Sequence, residues 1–599
     1  MPWDSPKVEY KLASSQPQLF TEDHCGRSFP PTQAWPGRLS SNASRWLTAW
    51  SRAGATPYNL LSDVDDMDTH NQEPAHGWSK PAFRIRRRVR FRRCVWMTIV
   101  ALPTLIILVI ILIATLHPSY SHPPHHYHVL RGRALGSTQP GRANPRHEKI
   151  FIASSIYDKQ GRLAAGAWGK GVLALVDLLG PDNVFLSVFE DDPDTLATAA
   201  LQHFTKQIKC MEIPGVHTGN SSVLAEHIDR GSLPHVKLPN GEKRLKRIEF
   251  LAHVRNRALA PLDDPTSSAY STHFDKLLYI NDVVFDPIDA ANLLFSTNVD
   301  KSGKTQYHAA CAADFINPFK YYDTFATRDH EGNRIGVPVY PWFSGRGRAE
   351  SRKDVFDQKD AVRVRSCWGG MVAFNARWFQ PDGLHVDLGV ADLVVDHNAT
   401  TPSSAVLIPI GAGSLGLTPP ATSLPERDIS LNRHLASNVT LPIRFRASTD
   451  TFWDASECCL IHADIGAASN HTGLTATGIY LNPYIRVAYS SRTLAFLHIT
   501  RRFERVYTPF HKLIGWSLNL PTRNPRRMQE AGKSYEDMVW ENNDPESMHA
   551  GDVSAGYKNK TRVALPGGFC GSRKLSVLGE GPEMRKWYNE VIETPTVER

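Results

Sequence analysis

The chain has 599 residues, 41% of them apolar and 21% charged, with a formal net charge of +8. That composition belongs to a globular protein and confines long disorder to segments. The charge is too small for this length to mark the whole chain as a nucleic-acid binder.

Residues 1–93 are expected to form a disordered cytosolic tail. As far as residue 83 they are rich in Ser, Pro, Asp and Gly, with acids at Asp63, Asp65, Asp66 and Asp68 and no sustained period. Seven arginines then crowd between Arg84 and Arg93 in "RIRRRVRFRR". A nucleic-acid arm is one reading of such a cluster, but the adjoining segment favours another. "CVWMTIVALPTLIILVIILIATL", Cys94–Leu116, carries no charge over 23 residues. As a helix it would span roughly 34 Å, enough to cross a hydrocarbon core. It starts too far from the N-terminus, and is too long, to be a cleavable signal peptide. The arginines on its N-terminal side predict a single-pass type II signal anchor, with the remainder of the chain lumenal.

Five N-x-Ser/Thr sequons come after the apolar segment, at Asn220, Asn398, Asn438, Asn470 and Asn559; Asn42 precedes it and should stay bare. Six cysteines (Cys210, Cys311, Cys367, Cys458, Cys459 and Cys570) come after it as well, an even number that permits three disulfides. No C-x-x-C pair suggests a zinc ribbon or a thioredoxin-like site. Residues 117–147, rich in Pro, His and Gly, read as a flexible lumenal stem.

From Lys149 strands and helices alternate. "KIFIASSIY", "NVFLSVFEDDPDT" and "KLLYINDVVFD" read as strands, and "AAGAWGKGVLALVDLLG" and "RLKRIEFLAHVRNRALAPL" as helices. This pattern predicts an α/β fold with a mostly parallel sheet built from right-handed βαβ units. The acidic strand ends, Glu190-Asp191-Asp192 and Asn281-Asp282, should then open on one edge, where such folds bind ligands.

Asp282 ends an apolar strand. A lone carboxylate there is often structural, but one on a rigid strand end can also anchor a Mn²⁺ or Mg²⁺ ion against a departing diphosphate. The usual Asp-x-Asp pattern is incomplete, because Ile280 stands at its first position. On the helix, the apolar stripe Ile248, Leu251, Ala252, Leu259, Leu262 passes through Arg255, with Asn256 beside it. An inward guanidinium needs a partner: a structural acid, a nucleotide diphosphate or Asp282. Gly369-Gly370 in "CWGGMVAFNARWF" form a tight turn or let the backbone approach a sugar, with Trp368 as a platform. The charged stretch "GRGRAESRKDVFDQKDAVRVRSC" is a solvated loop or a lid over a diphosphate. "WDASECCLIHADI" holds Asp454, Glu457, His462 and Asp464, with His462 as a candidate second metal ligand.

The segments "RIEFLAHVRNRALAPL", "FDKLLYINDVVFDPIDAANLL", "CAADFINPFKYYDTFATRD", "GVPVYPWF", "GRAESR", "DAVRVRSCWGGMVAFNA" and "WDASECCLIHADI" succeed one another in an order that resembles the fungal family of cryptococcal mannosyltransferase and CAP59-type capsule-associated proteins. The resemblance covers roughly residues 148–500, the expected catalytic domain, and leaves 501–599 as an extension packed on it. It implies a GT-A-like nucleotide-sugar fold and a divalent-metal-dependent Golgi α-1,3-mannosyltransferase. The donor would be GDP-mannose and the acceptor a mannoside or glycan, with other Golgi glycosyltransferases as prospective partners. It carries over Asp282 as the metal- or donor-binding residue. On this reading guanosine sits near Ser154, Tyr157, Glu190 and Asp191, and Arg255 and Asn256 face the diphosphate. Retention of configuration proceeds either by double displacement, with Glu457 or Asp464 as nucleophile, or by a front-side route. Two competitors stand beside it: a non-catalytic glycan-binding assembly factor, and a glycoside hydrolase, which would need two facing carboxylates.

Overall fold

The computed structural model describes residues 82–211, 221–381, 439–469, 477–522, 524–541, 556–579 and 589–596, with side chains from Trp96 onward. The tail 1–81 and the sequons at Asn42, Asn220, Asn398, Asn438 and Asn470 lie outside these residues. Asn559 stands exposed on a strand.

Helix α1, Ala82–Leu116, contains the apolar stretch and Pro103. By length and composition its Trp96–Leu116 portion suffices to cross a membrane. The segment after it is not a flexible stem. Helix α2, His125–Gly136, buries Tyr127, Leu130 and Ala134, and Asn144 donates to the carbonyls of Glu148 and Leu179. The His- and Pro-rich composition masked three apolar residues at helical spacing.

The domain proper begins with β1, Ile150–Ile156. It continues through α3, Ala167–Leu179, and β2, Val184–Asp191. Next come α4, Thr195–Met211, and β3, Ser221–Glu226, then α5, Arg247–Leu259, and β4, Lys276–Ile280. Helix α6, Pro287–Ser296, leads into β5, Ala309–Asn317. Strands β6, Val362–Ser366, and β7, Met371–Asn375, precede α7, Glu457–Ala468, and β8, Ile479–Ala488. Helix α3 stops where Gly180 adopts φ +90°, a conformation that an L side chain resists. Helix α6 starts on the Asp286 carboxylate, which accepts from Ile288 N, with Pro287 in the first turn.

These strands form one sheet in the order β3-β2-β1-β4-β7-β5-β8-β6, closed by the two-residue strand Arg328–Asp329. Strands β3, β2, β1 and β4 are parallel, as expected. Strand β7 runs antiparallel between β4 and β5, β8 returns parallel to β5, and β6 is antiparallel to β8. Helix α5 packs on β1 and β2, and α3 packs on α6. Every residue of β2 and β4 is buried, as in a sheet covered on both faces.

Among the described residues, the disulfides Cys311–Cys367 and Cys459–Cys570 pin β5 to the approach of β7 and α7 to the C-terminal region. Cys458 is a buried free thiol, so the six cysteines do not all pair among themselves. Arg328, fully buried, donates to the carbonyls of Phe569 and Cys570 and adds a second tie to that region.

Candidate functional site

The register of the sheet decides what its carboxyl edge contains. Ile280, the last residue of β4, pairs with Met371, the first of β7, and Asn281 N donates to Gly370 O. Two residues past Asp282, Val284 exchanges backbone hydrogen bonds with Ala488 at the end of β8. Asp314 on β5 lies in register with Val487 of β8. The edge therefore gathers Asp282, Asp314 and Tyr489 with the loop carrying Tyr322 and Asp323.

Asp282 is exposed, yet the protein around it raises its carboxyl pKa, mainly through desolvation, with Arg255 as a partial counterweight. The group is open to solvent on one side and crowded by protein on the other. Apart from its own backbone, its side chain has no hydrogen-bonding partner among the described residues. Asp314 is 2% exposed; it accepts from Asp323 N, and the Tyr489 hydroxyl donates to it at 3.3 Å. Burial, and then the Asp323 carboxylate, push its pKa up to about 8, so it holds a proton at neutral pH. Asp323 accepts from Ala326 N, Thr327 Oγ1 and Trp368 N, fixing the turn before β7. Tyr322 and Tyr489 meet edge to face at 4.7 Å and feel the charges of Asp282, Asp314 and Asp323. The signal for Asp314 and Asp323 lay in "CAADFINPFKYYD", an apolar run ending in acids like that of Asp282.

Arg255 does face inward, 9% exposed, and its partners are protein. Its Nε donates to Glu457 Oε1 at 3.0 Å and its Nη1 to Asn281 Oδ1 at 3.0 Å. Its guanidinium lies 4.5 Å from the centre of the Trp368 ring, with Tyr279 and Phe445 close by. Burial opposes the charge, but the fields of Cys458, Glu457 and Tyr279 outweigh it and hold the group protonated. Of the expected partners, the structural acid is the one present. Through Asn281, Arg255 also steadies the residue next to Asp282.

Several expected site residues are occupied elsewhere. Glu457 is 3% exposed and spent on Arg255. Asp464 is held by Arg446 through two bonds of 2.8 Å. Neither is open to act as a nucleophile. Asn256 pairs reciprocally with the backbone of Phe445. Ser154 Oγ donates to Ile280 O at 2.6 Å, a tie between strands. Glu190 accepts from Asp158 N, and Asp191 from Ile228 N. Tyr157 lies exposed just past β1. Gly369 and Gly370 have φ of +58° and +67°. A Cβ on Gly369 would stand 1.7 Å from Ala312 O, so it is the sheet backbone, not a sugar, that comes close. His462 is buried against Phe374, with Nδ1 2.7 Å from Cys458 O. Desolvation lowers its pKa to about 4. Among the described residues, the sole grouping of three His, Cys or acidic ligand atoms is His462 with Cys311 and Cys367, and those two sulfurs are bonded to each other. The arginine-rich stretch is no loose lid: Asp354, fully buried, takes two bonds from the Arg363 guanidinium, one from Arg363 N and one from Lys359.

A family model described as cryptococcal mannosyltransferase 1 matches residues 149–464. The chain belongs to this mannosyltransferase family. No curated protein matches it. The matched stretch begins just before β1 and ends at Asp464 in α7. It contains Arg255, Asp282, Asp314 and Asp323, but neither the β8 end with Tyr489 nor Cys570.

Proposed function

We propose that the protein is a Golgi type II membrane enzyme transferring mannose from GDP-mannose, with retention and in α-1,3 linkage, to a mannoside or glycan acceptor. The observation carrying this reading is Asp282: an exposed carboxylate at a rigid strand end, in a desolvating crevice, that no other described residue's amide or guanidinium has captured. The order of the sheet, four parallel strands and then the antiparallel insertion β7, supports a GT-A-like reading.

The donor set suits a hard divalent ion. Magnesium-type ions bind through one or two carboxylates and take their remaining ligands from phosphate and water. Asp282 would hold it. When bound, Mn²⁺ or Mg²⁺ would neutralise the departing diphosphate. The chain's own residues orient and shield. Arg255 fixes Asn281, and thereby the turn that presents Asp282. Tyr322 and Tyr489 wall the crevice. Asp314, protonated at neutral pH, is held in place by Asp323 N and the Tyr489 hydroxyl. With Glu457 and Asp464 both locked in ion pairs, the front-side route is the better-supported form of retention.

Titration of the purified full chain with GDP-mannose, with and without Mn²⁺, tests the reading directly. Metal-dependent binding, and then mannose transfer to a mannoside, is expected. Binding of a mannoside glycan without any nucleotide binding would favour the assembly-factor reading instead.

A further inference from the structure

Almost no slack joins the apolar helix to the domain. Helix α1 ends at Leu116, and Ser119 and Tyr120 are already fully buried. The Tyr120 ring meets Tyr484 edge-on at 4.8 Å and stacks beside Trp342. His117 and Pro118 alone lie between, a reach of roughly 7 Å. From Trp96 on the helix is exposed except near this end, where Ala114 is buried and Ile110 and Ile113 are half-buried. Among the described elements it packs chiefly on the short helix Arg501–Tyr507.

That contact is flanked by two helices with unusual surfaces, α8, Ser491–Thr500, and α9, Thr508–Ser517. In α9 only His511 is buried. Phe510 is 58% exposed, Leu513 60% and Trp516 79%, and Phe496 and Ile499 of α8 are nearly half exposed. Residues 491–518 also carry five bases, Arg492, Arg501, Arg502, Arg505 and Lys512, against one acid, Glu504. Glu504 is buried and neutralised by Arg486 at 2.7 and 2.9 Å. So many large apolar side chains exposed within one stretch are rare on a surface that faces only water. Trp, Phe and Leu interleaved with Lys and Arg make up the composition of helices that lie in a bilayer interface.

We propose that residues 491–518 form a lipid-docking surface. It seats the domain in the headgroup region of the bilayer that holds α1, in the leaflet at that helix's C-terminal end. The proposal rests on reading α1 as a membrane anchor. The occupant is phospholipid because the patch adjoins the anchor and the two-residue link cannot carry it away. Its bases suit lipid phosphates, and its aromatic residues suit the acyl boundary. The domain would thus be held at the surface in one orientation instead of swinging on a tether.

The full chain, placed in nanodiscs of phosphatidylcholine and phosphatidylserine doped with a photoactivatable lipid whose diazirine sits near the headgroup, gives the test. Adducts mapped by mass spectrometry are expected on peptides from 96–116 and from 508–518, and not on the exposed loop 300–304. The combined variant Phe510→Ser, Leu513→Ser, Trp516→Ser should fold normally and lose ~5-fold or more of the adducts on its α9 peptide. Adducts on 96–116 alone would overturn the docking surface and leave the anchor intact. Adducts on neither peptide would remove the anchor reading. Cross-links from 508–518 to a second copy or another protein, without lipid adducts, would also overturn the proposal.

Discussion

The two halves of the sheet's carboxyl edge are both acidic and do different work. On the β1–β2 side, Asp158, Glu190, Asp191 and Asp194 each accept backbone amides that would otherwise be unsatisfied at loop bends. On the β4–β5 side, Asp282, Asp314 and Asp323 share one electrostatic neighbourhood with Tyr322 and Tyr489. Asp314 and Asp323 also accept amides of other residues, whereas Asp282 takes only its own. An acid at a strand end is therefore not evidence of chemistry in itself. What matters is whether the fold has already spent it.

The largest expected effect lies on the unspent side. Asp282→Asn keeps the shape and removes the charge. It should lower mannose transfer by ~100-fold or more, the scale of removing one key electrostatic group, with the melting temperature unchanged. Asp286→Asn should retain activity, because that carboxylate caps α6 and faces Arg131 at 3.8 Å. Equal transfer by Asp282→Asn and wild type at limiting Mn²⁺ would make the two halves alike and erase the distinction.

Next comes the hinge between the halves. Arg255→Ala would strand Glu457, 3% exposed, without its counter-charge. Breaking a buried pair in this way costs roughly 3–5 kcal/mol, so thermal melting without nucleotide should show a large loss. Donor binding should fall as well, because Asn281 loses its anchor. A melting temperature equal to wild type would mean that Arg255 serves the ligand and not the fold.

Much of this architecture is legible in the sequence. Apolar runs separated by helices announce the parallel strands β1, β2 and β4, and the helical stripe places Arg255 inside. The antiparallel turn of β7 is not legible, because a fully buried strand looks the same in either direction. Nor is the state of each acid. Glu457 and Asp464 read as candidate nucleophiles because their arginine partners, Arg255 and Arg446, are distant in the chain or outside the motif. Gly369-Gly370 left both a tight turn and a sugar approach open, and the backbone of β5 decides for close packing.

On the spent side the effect should be smaller and purely structural. Asp191→Ala leaves the buried Ile228 N–H without its acceptor. An orphaned buried donor costs roughly 1–3 kcal/mol, and transfer by the folded fraction should be unchanged. A selective loss of GDP-mannose affinity, with stability intact, would return Asp191 to the donor site and blur the contrast.

The finest test concerns how tightly the β4–β5 acids are packed. An unfolded Asp ionises near pH 4, whereas Asp314 in the fold holds its proton up to about pH 8. Between these values the native state binds the extra proton, so stability is fully present below pH 4 and declines as pH rises toward 8. The slope from this one group is at most about 1.4 kcal/mol per pH unit. Asn cannot titrate, so Asp314→Asn should show a flatter decline in melting temperature from pH 5 to 8 than wild type. Asp323→Asn should flatten it in part, because the Asp323 charge is one of the causes that raise Asp314. Parallel melting curves for wild type and Asp314→Asn would mean that Asp314 ionises as an ordinary carboxylate. The crevice beside Asp282 would then be wetter than its surroundings require, and the line between the two halves of the edge would have to be redrawn.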